Sequence, residues 1–352
     1  MKRTAHTVGY VTGLHRVTPG ASAWLQPDGH FGLNNAGVFW TGAGAVLVDC
    51  AYDVPRARKI AQAIDASGAA QPQIAALVLT HDHGDHSFGA CAIPTGRVVM
   101  TDKAAAALRQ AAGTVAVHIS GLQGDARAMM ETLLADKFDF SEVRYRPPTE
   151  TFSGATTLAI GGVTLHLREF EGVHTVSDTI VHCPQEGVVV MGDLMFADSH
   201  IPFFRPSSKR WAEAMTQALA LDAEHYVPGH GRLCTRDDVR EHRDYLWWIY
   251  DQAERRCRKG MTPEEAADDL VQKLGDYAHL QRADNLVTSL DVLYREVDPK
   301  RPETSYSDSL AMRWRFRMKW RGRLPGVVDA LPLNTRLGGF KTLAALRMLE
   351  GT

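Results

Sequence analysis

The segment His81-Asp82-His83-Gly84-Asp85-His86 follows directly on the apolar run Ile74-Ala75-Ala76-Leu77-Val78-Leu79-Thr80. No other stretch restricts the fold as strongly. A short aliphatic run bounded by polar turn residues reads as a buried strand, and here it ends where the histidines begin. A strand end is rigid, and the loop that leaves it can turn several side chains toward one point. His81 and His83 are two apart, so in an extended chain they lie on one side and can bind one ion. Asp85 and His86 follow Gly84, which permits a sharp turn, and can face a second ion beside the first. Imidazole nitrogen and carboxylate oxygen are donors that zinc, iron and manganese accept.

The pattern His81-x-His83-x-Asp85-His86 after an apolar strand resembles the signature of the metallo-β-lactamase superfamily. Three later segments match further ligand positions in order: His174 in Gly172-Val173-His174-Thr175, Asp193 in Met191-Gly192-Asp193-Leu194, and His230 in Pro228-Gly229-His230-Gly231. The resemblance runs from about Asn34 to about Gly231. It implies that His81, His83 and His174 hold one metal, that Asp85, His86 and His230 hold a second, and that Asp193 bridges them. Asp85 and Asp193 are then the catalytic carboxylates, and two zinc ions per chain are the expected cofactors, with iron or manganese as alternatives.

The chain between these ligands reads as two similar halves. Asn34 to Trp40, a Gly42-Ala43-Gly44 turn and Ala45 to Cys50 suit a hairpin, and Val54 to Ser67 is patterned as an amphipathic helix. A short strand Arg97 to Met100 and an Ala-rich helix Lys103 to Ala112 follow the motif, then a helix at Ala126 to Ala135. The long span from His86 to His174 implies an insert forming one wall of a pocket, with His118, Met129, Met130 and Phe138 or Phe140 as candidates. In the second half, Thr156 to Ile160 and Val163 to Leu167 flank a Gly161-Gly162 turn. Thr179 to Cys183 and Gly187 to Met191 are two more strands. His166 and His182 sit within strand patterns and read as structural. Two β-rich halves flanked by helices predict an α+β, four-layer αββα sandwich with the metals at one sheet edge.

After Asp193 comes an apolar stretch in which Phe196, Phe203 and Phe204 are candidate substrate contacts and His200 a candidate hydrogen-bond donor. A helix from about Ser208 to Leu221 follows. Residues 1–235 are expected to form the catalytic domain and residues 236–352 a mainly helical extension, covering the pocket or making a homodimer contact. In that extension Asp237 to Lys259 reads as a long helix, Thr262-Pro263-Glu264-Glu265 as a helix start, and Asn285 to Val297 as a further helix. Residues 313–323 alternate basic and apolar side chains, a pattern that predicts a strand with its cations on one face.

Charge and composition narrow the partners. With 39 Lys and Arg against 41 Asp and Glu the net charge is −2, so no electrostatic footprint for nucleic acid appears. Five scattered cysteines without a C-x-x-C spacing read as reduced thiols, and the basic start at Met1 is not followed by an apolar signal core. No run approaches the roughly 20 apolar residues a membrane span needs, so a cytoplasmic protein with a small-molecule substrate is expected. The ligand set implies a hydrolase in which a metal-bridging hydroxide, its water's pKa lowered toward about 7, attacks the carbonyl of a small ester, thioester or lactone. A β-lactam or amide hydrolase, a mononuclear iron sulfur-oxygenase and a phosphodiesterase are the alternatives.

Overall fold

The computed structural model describes residues 9–134 and 137–323, except for the side chains of 112–118. Among them a seven-stranded sheet runs in chain order through β1 (Gly13–Thr18), β2 (Ala21–Leu25), β3 (Ala36–Thr41), β4 (Gly44–Val48), β5 (Ile74–Val78), β6 (Val98–Thr101) and β7 (Glu150–Phe152). The first four strands pair antiparallel and β4 to β7 pair parallel. A second sheet orders β13 (Cys234–Thr235), β12 (His225–His230), β11 (Val188–Phe196), β10 (Ser177–Cys183), β9 (Val163–Glu171) and β8 (Ala155–Ile160), with only β11 and β12 parallel.

The apolar runs of β4, β5, β10 and β11 are continuous because these strands are covered on both faces. In β4, Ala45 and Leu47 point to one core while Val46 and Val48 point to another. In β11, Val189 and Met191 face outward to helices, and Val188 and Val190 face the other sheet. Three apolar layers result. The middle one, with Val46, Val78, Leu165 and Val190, lies between the sheets. The first sheet's outer layer carries α1 (Val54–Asp65), the single turn α2 (Gly84–Ser87), α3 (Asp102–Gly121) and α4 (Gly124–Leu134). The second sheet's outer layer carries α5 (Ser208–Leu219), α6 (Arg236–Arg258), α7 (Pro263–Leu270) and α8 (Asn285–Val297), and α9 (Tyr306–Lys319) joins the two outer layers, with Met312 and Phe316 in this core and Leu310 in the first. The four-layer αββα sandwich is therefore the observed fold. α6 begins at Arg236, and α6, α7 and α8 share one core with the second sheet.

Local sequence explains most boundaries. Asp53 caps α1 through the Arg56 N–H with Pro55 in the first turn, and Thr262 and Glu265 form a reciprocal capping box on α7. Gly161 and Gly162 both have positive φ, which the tight β8–β9 turn requires.

One prediction fails. Residues 313–323 are not a strand, since α9 occupies Tyr306–Lys319. The alternating pattern also contains i,i+4 pairs: Arg313 and Arg317 are buried against Asp284, while Lys319 reaches Asp268 and Arg315 reaches Glu264. Residues 1–8 and 324–352, including the basic N-terminal start, lie outside the described residues, as does the side chain of His118. Met129, Met130, Phe138 and Phe140 are all core residues of the first helical layer.

Candidate metal centre

Parallel pairing of β4 with β5 brings the C-terminal ends of both strands to one edge, where Asp49 meets Thr80 and His81. Asp49 accepts hydrogen bonds from the Thr80 N–H (2.8 Å) and Thr80 hydroxyl (2.8 Å), and its Oδ2 lies 2.8 Å from His86 Nδ1. It takes a φ of +63°, a conformation whose strain is tolerated where the surroundings fix it. The Thr80 hydroxyl also contacts His81 Nδ1 at 2.9 Å, so the outer nitrogens of His81 and His86 are engaged and their Nε2 atoms point inward. The chain then enters α2, whose single turn presents Asp85 and His86.

Three further segments complete the cluster. At the start of β10, Asp178 accepts bonds from the N–H groups of His174 (2.9 Å) and Thr175 (3.0 Å), fixing the His174 loop. Burial pushes the Asp178 carboxyl up to about 7, against those bonds. Asp193 lies in β11 where the ladder with β12 shifts register around Gly192, an irregularity that re-aims a side chain. Gly192 has φ +51°, and a Cβ there would stand 2.7 Å from the Thr80 hydroxyl. His230 ends β12, and the Asn35 amide holds its loop by donating to Pro228 O (3.0 Å) and Gly231 O (2.8 Å).

The donors fall into two groups around one carboxylate. His81, His83, His174 and Asp193 form the first and Asp85, His86 and His230 the second, each with donor atoms within 4.8 Å of one another. Asp193 Oδ2 faces the first group, 3.2 Å from His174 Nε2 and 3.8 Å from His81 Nε2. Its Oδ1 faces the second, 3.0 Å from His86 Nε2 and 3.5 Å from His230 Nε2. Asp85 Oδ2 lies 3.3 Å from His230 Nε2, and His83 enters through Nδ1, 3.1 Å from His174 Nε2. Buried His81 Nε2, His86 Nε2 and Asp193 Oδ1 have no hydrogen-bond partner among the described residues. Such orphaned, converging nitrogen and oxygen atoms fit a metal donor set.

Electrostatics separates the groups. Burial drives His81 well below the usual imidazole range and His174 down to about 4, which keeps their lone pairs available. His86 goes the other way: burial opposes its charge, but Asp193, Asp49 and Asp85 together lift it well above the usual range. Asp193 is correspondingly held well below the usual carboxylate range, His86 and His230 overcoming burial. Of these residues, His86 is the one whose surroundings favour positive charge.

The candidate substrate contacts are scattered. Phe196 is buried and stacks on His230 at 5.3 Å with an interplanar angle of 3°, a wedge behind the ligands. Phe204, 48% exposed, stands edge-on to His83 (5.2 Å) and His174 (5.3 Å), at the open side. Phe203 instead packs on Trp211 in the core, and His200 is fully buried, its Nδ1 3.0 Å from the Tyr245 hydroxyl. Both are displaced from the expected role because the 198–201 segment turns inward onto α8, where Ser289 and the Asn285 amide bond its carbonyls. Tyr52 was not foreseen. It sits near enough to Asp85 to feel its charge and is packed edge-on by Phe31, Phe138 and Phe140, so the insert supports this wall from behind. Asp49 was visible only as an acidic residue closing a strand.

The model of the metallo-beta-lactamase superfamily matches residues 30–230, more than half of the chain and a span that holds all seven candidate ligand positions. The chain belongs to the metallo-beta-lactamase superfamily. Within it, the chain is 22% identical over 265 residues to a linear primary-alkylsulfatase from Pseudomonas sp. (strain ATCC 19151), covering 67% of this chain and 49% of that protein. The fold is also that of the stereoselective inverting sec-alkylsulfatase Pisa1 from Pseudomonas sp., with TM-score 0.58 and 16% identity, over 87% of this chain and 50% of that one. A metallo-beta-lactamase from Pontibacter korlensis aligns with TM-score 0.51 and 20% identity, over 67% of this chain and 99% of that one. The chain thus spans about half the length of the alkylsulfatases it resembles.

Proposed function

We propose that the protein is a dinuclear metal-dependent hydrolase of a small ester, thioester or lactone, and that zinc is its metal. The observation that carries this reading is Asp193, with one oxygen turned to each ligand group. His81, His83 and His174 would hold one ion with Asp193 Oδ2, and Asp85, His86 and His230 the other with Oδ1. When bound, two such ions would make a shared water acidic near neutral pH and polarise the bond under attack.

The chain's own residues prepare that chemistry. Asp49 orients His86 and Thr80 orients His81, fixing which nitrogen faces inward. Phe196 and Trp211, stacked around His174 and His230, exclude water from behind the ligands. Phe204 offers an exposed apolar face to the non-reacting part of a substrate. Asp85, more open than Asp193, is placed to handle a proton at the accessible side.

A second reading is hydrolysis of an alkyl sulfate ester, supported by the likeness to a linear primary-alkylsulfatase. A panel of chromogenic thioesters, lactones, a cephalosporin and an alkyl sulfate, assayed on zinc-loaded protein, separates the two. Turnover of a carboxylic thioester or lactone supports the first reading, and turnover of the alkyl sulfate alone supports the second. Hydrolysis of none, with oxygen uptake on a thiol, overturns both.

A further inference from the structure

Tyr52 stands in the turn between β4 and α1 and is only 8% exposed. Its ring is fixed along both edges. A Cβ on Gly32 would stand 2.6 Å from Cδ1, and one on Gly84 2.7 Å from Cε2, the atom next to the hydroxyl-bearing carbon. Phe31, Phe88, Phe138 and Phe140 surround it with ring centres 4.8 to 6.0 Å away. The end of the ring that bears the hydroxyl is therefore pressed against the residue before Asp85. Among the described residues that hydroxyl has no hydrogen-bond partner, and it is not closed off from solvent. Buried Tyr226 and Tyr245 differ, their hydroxyls lying 3.2 Å from Ala223 O and 3.0 Å from His200 Nδ1. Burial, then Asp85, then half-exposed Tyr306 of α9 raise the Tyr52 hydroxyl well above the usual phenol range, so it keeps its proton. A packed hydroxyl with a free proton and an open side is completed by water or by a bound molecule.

The open side of the ligand cluster thus has two unlike ends. Phe204 lies edge-on to His83 and His174 of the first group. Tyr52 lies beside Asp85, whose Oδ2 is 3.3 Å from His230 Nε2 in the second group. Asp193 sits between them with one oxygen turned to each. A molecule lying across both groups meets an apolar face at one end and a hydrogen-bond donor beside a carboxylate at the other. The reverse placement would set an apolar chain against Tyr52 Oη and Asp85 and leave a polar atom on Phe204, a poorer match at both ends.

We propose that the substrate lies in one direction across the site, its apolar part against Phe204 and its departing oxygen or sulfur toward Tyr52, whose hydroxyl donates a hydrogen bond to that atom. The hydrogen bond strengthens as negative charge builds on the departing atom; no bond to Tyr52 forms or breaks. A fixed donor aimed at developing charge favours the transition state over the ground state. The direction rests on the hydrolase reading, because it orients the ester bond that reading assigns.

Tyr52→Phe keeps the ring and removes only the hydroxyl. Zinc-loaded wild type and variant are assayed on hexanoate esters and thioesters whose departing groups run from p-nitrophenol to simple alkyl thiols and alcohols. The expected result is a loss in kcat/KM of about tenfold or more for the alkyl departing groups and little for p-nitrophenol, with zinc content unchanged. Phe204→Ala should instead flatten the dependence on acyl-chain length and leave the departing-group dependence as in wild type. A loss uniform across departing groups, or release of zinc with the hydroxyl, would make Tyr52 a structural wall and overturn the proposal. A second measurement needs no turnover: calorimetric titration with ethyl hexylphosphonate, whose tetrahedral phosphorus replaces the carbonyl carbon and whose ethoxy oxygen replaces the departing atom. Binding about tenfold weaker in Tyr52→Phe is expected, and equal binding by both proteins, or none by wild type, would overturn the proposal. Tyr52-dependent phosphonate binding without hydrolysis of any ester removes the hydrolase reading alone, whereas ester turnover insensitive to Tyr52→Phe removes the direction alone.

Discussion

Two sets of buried histidines occupy this protein, and they differ in what surrounds them. At the sheet edge, His81, His86, His174 and His230 converge on Asp193, with Asp49 and Asp85 alongside. In the helical layer of the second sheet, His200 and His242 are as deeply buried but meet Tyr245 and Trp211 rather than a carboxylate. Burial pushes His81 and His174 of the first set and His200 and His242 of the second toward the neutral imidazole, whereas His86, with three acids around it, goes the other way. Burial therefore does not distinguish a ligand. Convergence on a shared carboxylate does, because it creates an acidic focus where a cation is stabilised.

The sharpest way to break the contrast is Asp193→Ala. Loss of the shared carboxylate is expected to lower kcat/KM by on the order of a thousandfold, equivalent to several kcal/mol of charge stabilisation, and to release bound metal. His200→Gln, by contrast, is expected to leave metal content at the wild-type value. Steady-state kinetics with metal analysis on both variants checks the pair, and equal losses would dissolve the distinction.

Asp49→Asn comes next. Asp49 touches His86 directly and His81 only through the Thr80 hydroxyl, so metal affinity is expected to fall about 10- to 100-fold at the second group and less at the first. Competition titration with a chelator should then show two sites weakened to different degrees, and equal weakening would contradict the ordering.

Much of this contrast was legible in the sequence, and the reason lies in spacing. His81, His83, Asp85 and His86 are local, and the apolar runs before them and before Asp193 mark strands covered on both faces. What escaped was long-range. Asp49 bonds His86 across 37 residues, Asn35 holds the His230 loop across more than 190, and Asp284 finds Arg313 across 29. Because the partner of Arg313 and Arg317 is distant, the basic stretch looked like an alternating strand when it is a helix with a buried i,i+4 arginine pair. His200 likewise looked like a site residue by proximity to Asp193, until its segment turned toward α8.

A smaller effect concerns acid stability. His200 is held at about 3 and His242 at about 4 in the fold, against about 6.5 unfolded. Because the unfolded chain binds these protons first, their contribution is fully present above pH 6.5. It is lost as pH falls toward 4 and then 3, at up to about 1.4 kcal/mol per pH unit for each histidine. Urea melts between pH 7 and pH 4 should show this slope reduced in His200→Gln; an unchanged slope would mean that His200 is not held neutral. The least effect is expected of Phe204→Ala, a rise in KM of a few-fold with kcat retained, about 1 kcal/mol of apolar contact. A fall in kcat instead would place Phe204 in the chemistry.

The most direct measurement is anomalous diffraction at the zinc edge from crystals of the metal-loaded chain. The account predicts two peaks, one against each oxygen of Asp193, with His81, His83 and His174 around one and Asp85, His86 and His230 around the other. A single peak that leaves either group of side chains without metal would contradict it.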